Sequence, residues 1–183
     1  MALFNFESEF SSQRTGLVAA QAANQSVAQR QRDVFESHRH RTFALAFYMT
    51  GNELEADEIL ANTFIRAFRK SEHPDAFGVD SALIGELSGR FPLRQEQPAA
   101  TVSGKARLGG RNVRRSDLEA AVQNLPASER LLFLLRDVEG YSPENIAKLL
   151  EIPTEQVQRS LFSARVRLSQ GLAALVRSNS EAA

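Results

Sequence analysis

The chain is expected to be all-α, two small helical domains joined by a flexible linker. Apolar residues recur at i, i+3 and i+4 along most of its length, and no segment sustains the period-two alternation of a strand. Between Ser88 and Arg115 that periodicity stops, and Gly89, Pro92, Pro98, Gly104, Gly109 and Gly110 mix with Gln and basic residues. Such a composition reads as a tether between folded units. On either side of it, polar capping residues stand just ahead of the periodic runs.

A length of 183 residues with 43% hydrophobic and 24% charged residues suits one or two small packed domains. The absence of Cys excludes disulfides, thiolate metal sites and thiol nucleophiles. No apolar run approaches the roughly 18 residues that span a bilayer, and Met1-Ala-Leu-Phe-Asn-Phe-Glu lacks the basic start of a secretory signal. A cytoplasmic location is expected. Twenty-two basic residues balance 22 acidic ones, so nucleic-acid binding would have to rest on a local surface rather than a global field. The charges are unevenly placed. All seven bases of residues 71–115 fall between Arg90 and Arg115, and Thr154 to Arg177 carries four Arg against Glu155 alone. This fits a DNA-reading helix or a solvated helix face.

The N-terminal extension, residues 1–29, holds Phe4, Phe6 and Phe10, which could anchor it on the core or on a partner helix. The first domain is expected over residues 30–88. Val34 to Met49 forms one helix with Gly51 as its stop. Asn52 caps a second, with Glu55 three residues on, and Ala56, Ile59, Leu60, Thr63, Phe64, Ala67 and Phe68 set its apolar side. Asp75 to Leu87 reads as a weaker helix because Gly78 and Gly85 interrupt it. The basic linker covers residues 89–115. The second domain, residues 116–177, opens on a capping box at Ser116-Asp117-Leu118-Glu119, and Pro126 starts a helix whose Leu131 to Leu135 run forms its buried heart. A short tail, residues 178–183, follows.

Function concentrates after Gly140. Ser142 caps and Pro143 opens a short helix with Ile146, Ala147 and Leu150 on its apolar side. Three residues later Thr154 is expected to cap a second helix, whose stripe is Val157, Leu161, Ala164, Leu168 and Leu172. Thr154, Glu155, Gln156, Gln158, Arg159, Ser160 and Ser163 are left mostly on its outer faces. Two helices with a tight turn and a polar second helix make a helix-turn-helix, the second helix entering the major groove. There Gln bridges adenine and Arg bridges guanine. An ordinary helical hairpin would use the same caps.

The run Asn124-Leu-Pro-Ala-Ser-Glu-Arg-Leu-Leu-Phe-Leu-Leu-Arg-Asp-Val-Glu-Gly-Tyr-Ser-Pro-Glu-Asn-Ile-Ala-Lys-Leu-Leu-Glu-Ile-Pro resembles region 4 of the small extracytoplasmic-function (ECF) bacterial sigma factors. Ala44 to Asn52 and Ala56 to Arg69 resemble their region 2, in the same order. The resemblance covers about residues 33–72 and 117–176. It implies a sigma factor that binds core RNA polymerase and directs it to promoters, with no catalytic role and no cofactor. It implies that region 4 reads the minus-35 element of promoter DNA through Thr154, Glu155, Gln156, Gln158, Arg159 and Ser160, with Arg165 on phosphate, and touches the β flap. It also implies that the Asn52 to Lys70 helix docks on the β′ clamp helices through Asp57, Glu58, Asn62, Thr63 and Arg66. An anti-sigma protein is a further candidate partner.

Some positions depart from the family. Ala61-Asn62 stands where Gln-Asp or Gln-Glu is common, Glu151 where a Gly usually eases the turn, and Gln158-Arg159-Ser160 where a basic triplet is usual. Between Asp75 and Arg94, where the family carries an aromatic, basic helix that opens the strands, only Phe77 and Phe91 are available as stacking rings. This leaves an alternative, a sigma-like adaptor weak in promoter opening. Nothing in the sequence spells a catalytic motif, and His38, His40 and His73 do not form a metal set.

Overall fold

A computed structural model describes the backbone of residues 6–93 and 113–181, and side chains over residues 26–93 and 113–177. Phe4, the side chains of Phe6 and Phe10, most of the linker and the extreme tail therefore lie outside the described residues. The described backbone is helical: α1 (Phe6–Thr50), α2 (Glu53–Lys70), α3 (Ala76–Ser88), α4 (Arg115–Gln123), α5 (Ala127–Phe133), a π turn (Leu134–Val138), α6 (Pro143–Leu150) and α7 (Thr154–Glu181). No described helix is long and apolar enough to cross a membrane.

The caps explain most boundaries. Gly51 at φ 71° ends α1, its N–H returning to Phe47 O at 2.7 Å. Asn52 Oδ1 then accepts from Leu54 N–H at 2.9 Å and Glu55 N–H at 3.3 Å, using two of the donors that every helix start leaves open. Asp75 caps α3 by accepting from Gly78 N–H at 2.7 Å. Two starts differ from expectation. Asp117, not Ser116, organises the start of α4: its carboxylate accepts the Arg114 N–H at 3.3 Å, so the helix begins at Arg115. Pro126 precedes α5 rather than opening it. The helix expected over Val34 to Met49 is the end of α1, which runs without interruption across residue 30.

In the first half, α2 packs on α1 and α3 through Ala56, Ile59, Phe64 and Ala67, and Phe35 meets Phe64 edge-on at 4.8 Å. In the second half, α7 packs on α4, α5 and α6. Leu131, Leu132, Leu134 and Leu135 are all buried, as a run apolar on every side requires.

The halves share one core. Leu45, Met49, Leu83 and Leu87 belong to the same buried cluster as Leu131, Ile146 and Leu150. At this seam Arg130 Nη1 donates to Met49 O at 2.7 Å, and Gln123 Nε2 to Tyr48 O at 3.0 Å, so the second half supplies donors to the open carbonyls at the end of α1. A second polar contact joins the halves at Arg41. The guanidinium is bidentate on Asp80 at 2.7 and 2.9 Å and also donates to Glu139 and Tyr141, while Tyr141 donates to Asp80.

Candidate nucleic-acid interface

Ser142 Oγ accepts the Asn145 N–H at 3.2 Å, and Pro143 fills the first turn, where its missing N–H costs nothing. The helix α6 buries Ile146, Ala147, Leu149 and Leu150 and ends at Glu151, which takes φ 55°, ψ 44°. This is the left-handed conformation that Gly adopts without penalty. Ile152 N–H then returns to Ala147 O at 3.1 Å, and α7 begins at Thr154 itself, with Pro153 O accepting from Val157 N–H at 3.2 Å. The two helices and their turn form the helix-turn-helix that the spacing predicted.

On α7 the buried stripe is Val157, Leu161, Ala164 and Leu172. Glu155, Gln158, Arg159 and Arg165 are exposed, and Thr154 and Gln156 are half-buried. Ser160 is a correction: it is 8% exposed and lies inside. Its position explains this, since 157, 160, 161 and 164 fall on one face at i, i+3, i+4 and i+7. Ser163 is likewise buried, donating its hydroxyl at 2.8 Å to Glu129, whose carboxylate also faces Arg167 at 3.1 Å. These polar residues are helix-packing groups.

Two features of this surface escaped the sequence reading. Phe162, three residues beyond Arg159 and four beyond Gln158, is 60% exposed in the middle of the outward face. Its spacing from those residues was the available signal. Arg165 is held by Asp137 of the π turn through bonds of 2.7 and 3.2 Å, and this hydrogen bond raises its pKa. Phosphate and Asp137 would therefore compete for the same guanidinium. The π turn itself is marked by Glu139 N–H reaching Leu134 O at 3.0 Å.

The other candidate surface is α2. Asp57, Glu58 and Arg66 are exposed and Asn62 is half-buried. Thr63 is a second correction, being 0% exposed, because it belongs to the Ala56, Ile59, Thr63, Ala67 stripe. Glu58 pairs with Arg90 at 2.9 Å and Arg66 with Glu86 at 2.7 Å. The sequence reading also passed over two apolar residues here: Leu54 is 80% and Ile65 51% exposed. With Glu58 and Ala61 they follow one face at i, i+4, i+7 and i+11. Leu54 and Ile65 are thus two exposed apolar side chains on the face that also carries Glu58.

Of the two rings considered for strand opening, Phe77 is 42% exposed at the start of α3, whereas Phe91 packs against the core. Phe77, Lys70, His73 and Ser81 line an open hollow of about 360 Å³.

Comparison with known proteins agrees with this geometry. Residues 115–168 match the family Sigma-70, region 4, and this defines the class of module to which the helix-turn-helix belongs. The ECF RNA polymerase sigma factor SigE of Mycolicibacterium smegmatis is 26% identical over 77% of this chain, which spans 61% of that protein's length. The sigma factor RpoE of Bartonella quintana, solved with the anti-sigma factor NepR, shares the fold with a TM-score of 0.59 at 16% identity, over 77% of this chain and 95% of that one. The structural likeness shows the shared fold, and the family match covers the part of the chain that holds the helix-turn-helix.

Proposed function

We propose that the chain is a sigma factor that binds core RNA polymerase and directs it to promoters in the cytoplasm. The observation that carries this reading is the exposed Glu155, Gln158, Arg159 and Phe162 face of α7, within a helix-turn-helix that matches sigma-70 region 4. In the groove, Arg159 and Gln158 would bond base edges, and Phe162 would meet a thymine methyl. The outer face of α2, with Asp57 and Asn62 beside Leu54 and Ile65, would dock on the β′ clamp helices, and the second half would touch the β flap. A protein of the NepR kind is a third proposed partner, since NepR accompanies the structural relative. Run-off transcription with purified core polymerase tests the proposal. Specific transcripts that require this chain support it, and their absence on every template ends it.

One observation favours the second reading, an adaptor weak in promoter opening. Opened strands are held by rings stacked on bases, each worth roughly 1–3 kcal/mol. Only Phe77 of the two is exposed, Phe91 being half-buried against the core. Comparing linear duplex with pre-melted bubble templates separates the readings. Equal yields mark a fully competent sigma factor, and transcripts from bubbles alone mark weak opening. No transcripts from either template, with polymerase still bound, mark an adaptor.

A further inference from the structure

Apolar packing alone would leave α7 room to rock. Its buried stripe of Val157, Leu161, Ala164 and Leu172 resists lifting from the domain, but apolar contacts carry no direction. Residues four apart on a helix differ by about 40°, so a turn of that size would bring Gln158 to the angle that Phe162 holds. The side chains offered to a groove would change although the fold would not.

Two acids oppose such a turn, one on each flank of the stripe. Ser163 and Arg165 stand on either side of the fully buried Ala164, about 100° away in each direction. Glu129 of α5, 1% exposed, accepts the Ser163 hydroxyl at 2.8 Å and faces Arg167 at 3.1 Å. Asp137 takes Arg165 from the other flank through bonds of 2.7 and 3.2 Å. The π turn between them makes this two-sided grip possible. Over the span from Glu129 to Asp137 an unbroken α-helix would set the two carboxylates about 80° apart. A π turn takes in one extra residue, so the two relate as a pair seven apart, within about 20° of each other. Both carboxylates then reach α7 from one face.

We propose that Glu129 and Asp137 are positioning residues that set the rotation of α7, and thereby select Glu155, Gln158, Arg159 and Phe162 as the side chains offered to duplex DNA. The DNA clause rests on the function proposed above. Neither acid touches a base; they act through Ser163, Arg165 and Arg167. Polar bonds suit this task because their strength depends on angle as well as distance. Where a phosphate takes Arg165 from Asp137, the buried Glu129 tie stays out of reach of DNA and keeps the rotation.

Thiol reactivity reads the rotation without any DNA. The chain has no Cys, so single reporters can be set on α7: Ser160→Cys at the edge of the buried stripe and Ala164→Cys at its centre. Rocking uncovers the edge before the centre, whereas general loosening uncovers both. The Glu129→Gln, Asp137→Asn double variant keeps side-chain volume and removes both charges. It is expected to raise reactivity at Ser160→Cys relative to Ala164→Cys at least about fivefold, the factor that one lost hydrogen bond is worth, with helix content unchanged. An unchanged ratio, or an equal rise at both reporters, overturns the positioning role. Should the double variant lose helix content, Asp137→Asn alone, at the solvent-facing pair, is read the same way with a smaller rise. Selection from a randomised duplex pool then reads the consequence. The natural chain is expected to enrich a narrow set of sequences and the double variant a broader one, while affinity for a scrambled duplex does not fall. Equally narrow sets overturn the link from the ties to base reading. If the natural chain enriches nothing, the DNA reading ends, and the thiol comparison still decides the rotation.

Discussion

Arg66 lies across Gly85: a Cβ at position 85 would come within 2.6 Å of Arg66 Nη1. The missing side chain lets Arg66 cross α3 and pair with Glu86 at 2.7 Å. Gly85 interrupts the helical pattern in sequence, yet α3 passes through it unbroken. Gly85→Ala sets two effects against each other. Ala gains up to about 1 kcal/mol of helix propensity, while a half-exposed ion pair contributes less than about 1 kcal/mol, and its flexible end can swing away. The variant is expected to unfold at equal or slightly higher temperature, with Arg66 released from Glu86. A loss above about 1 kcal/mol in thermal unfolding would show that Arg66 braces α2 on α3.

The docking proposed for α2 would have an apolar component in Leu54 and Ile65. Leu54→Ser with Ile65→Ser is expected to weaken binding to core polymerase at least tenfold, since burying each such side chain is worth roughly 1.5–3 kcal/mol. Reversing Asp57 should weaken it further. Reversing Glu58 should do less, because Arg90 already engages it. Pull-down with core enzyme, alongside circular dichroism to confirm intact helix, reads the result.

On α7 the two arginines should separate by salt dependence. Arg159→Ala is expected to cost about 1–3 kcal/mol and to relax preference at one base pair. Arg165→Ala should weaken all sequences alike and lower the salt slope by about one unit. Asp137→Asn loosens the grip on Arg165 and should strengthen nonspecific DNA binding. Fluorescence anisotropy over a salt series distinguishes these outcomes.

Glu151 carries a left-handed backbone that costs a non-glycine residue roughly 1 kcal/mol. Glu151→Gly is therefore expected to stabilise the chain by about that amount in denaturant unfolding. Glu151→Val, which adds β-branching to the same φ, should destabilise it.

Burial, with the bond to Asp80 second, pushes the Tyr141 hydroxyl up from 10.0 to about 12. The folded chain therefore holds this proton more tightly than the unfolded one. Its contribution to stability is complete below pH 10 and is lost as pH rises toward 12. Tyr141 faces Arg41 and Asp80, and of these only Arg41 favours its ionised form. Stability should fall between pH 10 and 12 in the natural chain and less steeply in Tyr141→Phe, as followed by helix signal against pH.

Local chemistry made much of this legible. Asn52, Asp75, Ser142 and Pro143 fix helix starts through hydrogen bonds within a few residues, and the turn at Glu151 follows from the spacing of the helices around it. Thr63 and Ser160 were misplaced because small polar residues on a buried stripe look like surface residues unless position outweighs polarity. Phe162 and Leu54 were passed over for the opposite reason, since apolar residues are first assigned to a core. The π turn has no periodic signature in a run apolar on all sides. The contacts of Arg41 with Glu139 and of Arg130 with Met49 join residues about 80 to 100 positions apart, and no local pattern encodes such a meeting.

Arg130 bears on whether the halves can be exchanged between relatives. It donates to Tyr48, Met49 and Leu125 carbonyls, and burial lowers its pKa. The first half thus ends a helix on donors that another half must provide. A chimera that joins residues 1–93 to a second half lacking an arginine and an amide at these places would inherit open carbonyls at a buried helix end. Swaps in this architecture are accordingly better designed around the pair of residues 123 and 130 than around the linker.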